Sequence, residues 1–268
     1  MSATIATQLR CARCSRYFAD AEVRYVQAGQ GTLRVCPLCG GPLAVESSRE
    51  VQSLPVLLAG AFVYPFRGKT VLWVLGVIVA SVVVSFMPVV GGILSASVQL
   101  GFLMAVLRSS ADGKDTLEVD ASELGDVWSW FAPFFRYLGA VLVSFGAAIV
   151  AAVLLEPSEI AIVYALALAG ALYFPAAVIV AAHQHEGFLG ALNPVTSFGL
   201  ITRIPAAYAV TLGFLAGAGA LGGAVNYATD LIEVPILGGI VHRVFGFFAP
   251  VVMMRMLGVL VNEKREEL

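Results

Sequence analysis

The sequence predicts an all-α polytopic membrane protein of about six transmembrane helices, carrying a small β domain at its N-terminus. Three observations lead there. First, the 268 residues are 59% hydrophobic and only 13% charged, where a soluble domain carries roughly 25% charged residues; mean hydropathy is +0.88. Second, charge is unevenly spread, because residues 1–69 hold 8 of the 16 Lys and Arg. Third, all four cysteines, Cys11, Cys14, Cys36 and Cys39, fall in that same stretch. The chain therefore divides into a small polar head and a long apolar body. Its net charge of −2 provides no basic field, so nucleic acid is not expected as a partner.

The head is assigned to residues 1–45. Its start lacks the apolar core of a secretory signal and already contains Cys11 and Cys14. The cysteines read C-x2-C, then 21 residues, then C-x2-C. Each close pair can present two thiolates on one tight knuckle, about 2.3 Å from a shared zinc ion. In the second knuckle Pro37 presets the turn, and Gly40 can adopt a positive φ that aims backbone N–H groups at sulfur. In the first, Ser15 stands where glycine is more usual. Residues 22–28 and 32–35 flank Gly29-Gln30-Gly31 as a hairpin, and 42–45 could add a third short strand. This arrangement resembles a zinc ribbon, with Cys11, Cys14, Cys36 and Cys39 as metal ligands. Two disulfides or four free thiols are the alternatives, and disulfides require an oxidising compartment. Four sulfurs leave no open coordination position, so a structural zinc is expected. A unit this small has little apolar core, which makes its folding metal-dependent.

Residues 46–69 are read as a polar linker (46–53) followed by an interfacial segment. Leu54–Phe66 is apolar but too short to cross about 30 Å of hydrocarbon; it contains Pro55 and Pro65 and runs into Arg67 and Lys69. The transmembrane domain occupies 70–261, with spans at 70–87, 89–107, 137–155, 160–182, 205–228 and 236–261, and 262–268 is a charged tail. Each span must satisfy its own backbone in lipid, so each is expected to be a helix. The short turns at 88–92 and 156–159 carry no Lys or Arg. Arg67, Lys69, Arg108, Lys114, Arg136, Arg203, Lys264 and Arg265 all fall on the other side. This asymmetry predicts that both termini are cytoplasmic. Arg243, near the outer end of the last span, is expected to snorkel outward and to pair with Glu233.

The first five span cores contain no Asp, Glu, Lys, Arg or His, which argues against proton-coupled transport. No nucleophile elbow, zinc-protease motif or phosphate loop is present, so no enzyme is expected. Three features remain. His183, His185 and Glu186 form a His-x-His-Glu cluster at the inner end of the fourth span, read either as a metal site or as polar residues at a helix exit. Gly213 and Gly217 form a G-x-x-x-G pair for close helix approach, either by a helix of this chain or by a second protomer. The loop 108–136 carries six acids against three bases. It is read as a solvated face or as a docking surface for a basic partner, the head's Arg13, Arg16, Arg24 and Arg34 included. Phe131 and Arg136 match Phe198 and Arg203 in spacing, an echo of a duplicated helix pair.

Ala61-Phe62-Val63-Tyr64-Pro65-Phe66-Arg67 stands before the first span. Gly101 lies in the second, with Arg108 at its exit and Gly113 soon after, and a Trp-containing segment, 127–130, leads into the third. Over roughly residues 54–261 this resembles bacterial and archaeal polytopic membrane families loosely grouped with Yip-type membrane proteins, some of which carry an N-terminal zinc ribbon. The resemblance implies a six-helix fold and transfers no catalytic residue. The expectation is a non-enzymatic protein of a bacterial or archaeal cytoplasmic membrane that anchors a cytoplasmic zinc ribbon for a protein partner or for membrane assembly. Its partners would be the lipid bilayer, a protein held by the ribbon and a second copy through Gly213 and Gly217. The alternative is a transporter or channel for a small solute, with the ribbon as a regulatory cap.

Overall fold

The computed structural model describes residues 8–11, 13–14, 17–19, 22–28, 31–45, 53–88, 90–117, 127–183, 193–230 and 235–268. The chain forms two compact units, Met1–Ser53 and Leu54–Leu268.

The first unit is built from short antiparallel strands. β1 (Gln8–Cys11) lies between β2 (Tyr17–Ala19) and β5 (Leu43–Val45), while β3 (Arg24–Ala28) and β4 (Gly31–Val35) form a separate hairpin. The expected hairpin is present, with Ala28 opposite Gly31 and Arg24 opposite Val35. The expected third strand is also present, but it pairs with β1, placing Cys11 opposite Leu43. Sequence patterning did not reveal β1 and β2, because each runs only three or four residues, too few for alternation to register. Leu9, Phe18 and Val23 bury themselves against Cys11 and Cys36, so two of the five buried residues of this small core are cysteines.

The second unit is helical. α1 (Leu54–Gly60) continues into a 3-10 turn (Ala61–Phe66). α2 (Thr70–Ser85), α3 (Gly91–Ala111), α4 (Val127–Leu154) and α5 (Ile160–His183) follow, then α6 (Pro194–Arg203), α7 (Pro205–Asp230) and α8 (Pro235–Glu263). Five helical stretches are long and apolar enough to cross a membrane: Gly91–Ala111, Phe131–Leu154, Ile160–His183, Pro205–Thr229 and Gly246–Glu263. This is consistent with an integral membrane protein. α2 has 16 residues, about 24 Å of helix, and falls short by itself. It reaches spanning length only together with Leu54–Phe66, across a 61° bend. The segment read as interfacial is thus helical, and a non-helical break at 67–69 separates it from α2. Large apolar side chains face outward along the bundle, among them Leu72, Val79, Val83, Val153 and Leu168. Helices apolar on all sides are what an apolar solvent selects.

The helices meet where side chains vanish. α3 packs against α2, α4 and α8, and α8 packs against α7. A Cβ on Gly258 of α8 would lie 2.5 Å from the Leu107 carbonyl and still closer to Ser110 Cβ. A Cβ on Gly170 of α5 would strike the Ser144 carbonyl of α4. The C-terminal half of α5, Ala176 to Ala182, is buried on every side. Pro175 deprives that helix of one N–H, and Tyr208 of α7 adds a polar bridge at the same turn. Its hydroxyl accepts the Ala176 N–H (3.2 Å) and donates to the Leu172 carbonyl (2.7 Å).

Candidate metal centre

Cys11 ends β1 and Cys14 sits on the turn beyond it; Cys36 follows β4, and Cys39 lies on the turn before β5. The second knuckle closes through two backbone bonds. The Gly40 N–H donates to the Cys36 carbonyl (3.0 Å), and the Cys36 N–H donates to the Gly41 carbonyl (2.8 Å). Gly40 takes φ +69°, the left-handed conformation expected of it. Gly41 is required for a different reason. A Cβ there would sit 2.9 Å from Arg13 Cβ and 3.2 Å from Cys11 Sγ, so a larger residue would push the knuckles apart.

The four sulfurs converge. Cys11 Sγ is 3.4 Å from Cys39 Sγ, Cys14 Sγ is 3.7 Å from Cys36 Sγ, and all four lie within 4.8 Å of one another. A tetrahedron with metal–sulfur bonds of about 2.3 Å has edges of about 3.8 Å, close to both short separations. A disulfide needs about 2.05 Å, and no two of the four sulfurs are joined. The donor set therefore fits one tetrahedral metal ion. Among the described residues, no other group of three or more His, Cys, Asp or Glu side chains is placed to hold one.

Proton affinities follow from the hydrogen bonds. The Cys14 backbone N–H is the main influence holding the Cys11 thiol down to about 6; the Arg13 N–H and the side chains of Cys39 and Cys14 add to it, against burial. For Cys39 the Gly41 N–H also pulls downward. The side-chain bond with Cys11, burial and the two remaining thiols outweigh it and push the group up to about 12. In effect one proton is held between two sulfurs whose charges repel. A cation at the centre would replace that proton and stabilise all four thiolates. Four sulfurs complete the shell, so the centre can cross-link the fold but offers no position for a water or a substrate.

The other expected features fare differently. His183 is exposed and its Nδ1 lies 3.0 Å from the Ile179 carbonyl of its own helix, as a polar helix exit would have it; His185 and Glu186 lie outside the described residues. Of the acidic loop, Asp112 and Asp115 are described, whereas Glu118, Asp120, Glu123 and Asp126 are not. Arg13, Arg24 and Arg34 of the head are described and Arg16 is not. Glu233, the expected partner of Arg243, is likewise outside. Gly213 and Gly217 have open space where their Cβ atoms would be. The close approach of α7 to α8 falls instead at Gly219, where a Cβ would be 3.3 Å from Met253, and at Gly222, where it would be 2.9 Å from Ala249.

One residue escaped the sequence reading. Arg255 of α8 is buried, and its guanidinium lies 4.6 Å from the ring centroid of Tyr64. Nη2 donates to Asp115 Oδ1 at 3.2 Å, and Nη1 donates to the Lys114 carbonyl. The signal was available, since an arginine well inside the last span must find partners. No family model matches the chain, and neither a curated protein nor a solved structure matches it.

Proposed function

We propose that this is a non-enzymatic integral membrane protein whose helical body anchors a cytoplasmic zinc ribbon, and that the ribbon binds a protein partner or organises a membrane assembly. The convergence of four thiols on a unit distinct from the helical body carries the reading. A soft, closed, four-sulfur donor set favours zinc, and a site without an open position serves structure and recognition rather than catalysis. The lysine and arginine distribution supports cytoplasmic termini, and the membrane of this reading is a bacterial or archaeal cytoplasmic membrane. The open face at Gly213 and Gly217 supports contact with a second copy.

Purification in mild detergent tests this. The protein should contain about one zinc per chain, as a closed four-thiolate site requires. Cys36→Ser should lose the metal and render residues 1–53 protease-sensitive while the helical body survives, and a defined protein should co-elute with the wild type only. Wild-type protein without zinc, or a full complement in Cys36→Ser, overturns the metal assignment.

A second reading, transport of a small solute with the ribbon as a regulatory cap, is favoured by one observation. The helical unit contains a cleft of about 520 Å³ between α2, α3 and α8. A smaller cavity of about 190 Å³ lies against α7, lined in part by Ala218 and Gly222.

A further inference from the structure

We propose that this cleft binds a neutral lipid whose headgroup carries hydroxyl groups, of the diacylglycerol kind. The inference rests on the membrane reading above and goes beyond it.

The cleft sits between the second half of α2, the first half of α3 and the middle of α8. Its polar groups are Ser81 and Ser85 on α2 and Ser95 and Gln99 on α3. Ser81 and Ser85, like Ser95 and Gln99, are four residues apart, so each pair shares one helix face. The Gln99 amide reaches Ser95 Oγ at 3.5 Å, and Ser85 donates to the Val82 carbonyl at 2.7 Å. Ser81 is only 4% exposed, and its Oγ has no hydrogen-bond partner. A hydroxyl shielded from water without a partner is costly, and a ligand hydroxyl toward which the Ser81 side chain turned would remove that cost. α8 contributes a second polar feature. Pro250 has no N–H to give to the Gly246 carbonyl four residues earlier, and both residues line the cleft.

The chemistry of the lining selects the class of occupant. No lining residue is charged, so neither a phosphate nor an ammonium group would be compensated there. Hydroxyls and an amide both give and accept hydrogen bonds, so the matching headgroup does the same. Val82, Leu103 and Phe247 form an apolar wall, suited to acyl chain rather than to a free sugar or polyol. The volume lies within the range of about 300–1,000 Å³ typical of small-molecule sites. In a helix pair that lies in the bilayer, a neutral hydroxylated lipid meets all of these demands.

The test uses the full-length protein reconstituted into phosphatidylcholine vesicles containing a diazirine-bearing diacylglycerol. After illumination, labelled peptides are mapped by mass spectrometry. Label should concentrate on 78–103 and 246–250, and unlabelled diacylglycerol should compete where glycerol does not. Gln99→Leu should lower labelling roughly fivefold, the effect of one hydrogen bond. Val82→Phe, which fills the cleft with apolar volume, should abolish it, and circular dichroism of both variants checks that the helices persist. Labelling spread evenly over the helices, insensitive to both variants, or competed by glycerol overturns the proposal. A protein that alkaline carbonate strips from the membrane refutes the membrane reading instead.

Discussion

Replacing Arg255 separates three effects that meet on one side chain. Its guanidinium lies against the Tyr64 ring, bonds the Lys114 carbonyl and pairs with Asp115. The Arg255 side chain is 11% exposed and that of Asp115 is 64% exposed. The ion pair is therefore largely solvated and is worth about 0–1 kcal/mol. The cation–π contact, over a ring that is itself buried, is worth about 0.5–2 kcal/mol. Leaving the Lys114 carbonyl without its donor costs about 1–3 kcal/mol. Arg255→Met, which keeps length and apolar contact, should thus destabilise the helical unit by about 2–4 kcal/mol. Asp115→Asn should cost no more than about 1 kcal/mol. Arg255→Lys keeps the charge but loses the planar fork, so it should lie close to the Met variant. Unfolding in mixed detergent micelles, followed by circular dichroism, measures all three. If Asp115→Asn costs as much as Arg255→Met, or if Arg255→Lys is neutral, the ranking is wrong and the ion pair dominates.

Tyr208→Phe removes one oxygen and both bonds to α5, and should cost about 1–3 kcal/mol in the same assay with no loss of helix. Gly258→Ala places a methyl group against the Leu107 carbonyl and Ser110 and should cost at least about 1–3 kcal/mol, whereas Gly213→Ala, facing open space, should be neutral in the monomer. Metal affinity should rise with pH. The Cys39 thiol holds its proton up to about 12, so binding near neutrality must expel it, while Cys11, at about 6, is already a thiolate. Competitive chelator titration between pH 6.5 and 8.5 should show roughly a tenfold gain per pH unit for each proton displaced, and a pH-independent affinity would refute the shared-proton picture. A cysteine at Ser158, in a chain whose native cysteines are replaced, should react with an impermeant maleimide on intact cells; reaction only after lysis would invert the proposed topology.

The four-cysteine cluster was legible because its chemistry is local. Two C-x2-C knuckles fix their own turns, and Gly40 adopts the positive φ that its position demands. The role of Gly41 was not legible. What forbids a side chain there is Arg13, brought close only by the folding of β1. The same division runs through the helices. Long apolar runs located α3, α5 and α7 to within a few residues, since hydropathy is a property of each segment alone, whereas α4 begins at Val127, ten residues before the expected span. α6 was missed because ten residues of mixed polarity carry little signal, although Asn193 caps it by accepting the Val195 N–H at 3.0 Å, with Pro194 at the first turn.

Helix partners are a relation between segments, and sequence alone does not place them. The most glycine-rich helix, α7, drew attention to Gly213 and Gly217, yet the tightest crossings use isolated glycines, Gly170 and Gly258, each set against a partner backbone. A glycine repeat reports that close approach is possible. Whether it is used depends on which face the rest of the helix turns inward, and in α7 that face carries Tyr208, Thr211 and Ala218. These three lie three or seven residues apart, on one stripe. Gly213 and Gly217 fall on the other side of the same helix, where no described residue of this chain reaches them. In lipid, an open face of small residues gives up the dispersion contacts that larger side chains would make. That surface is therefore the one on this helix best suited to a second bundle, and the neutral Gly213→Ala expected of the monomer should become destabilising wherever two copies meet.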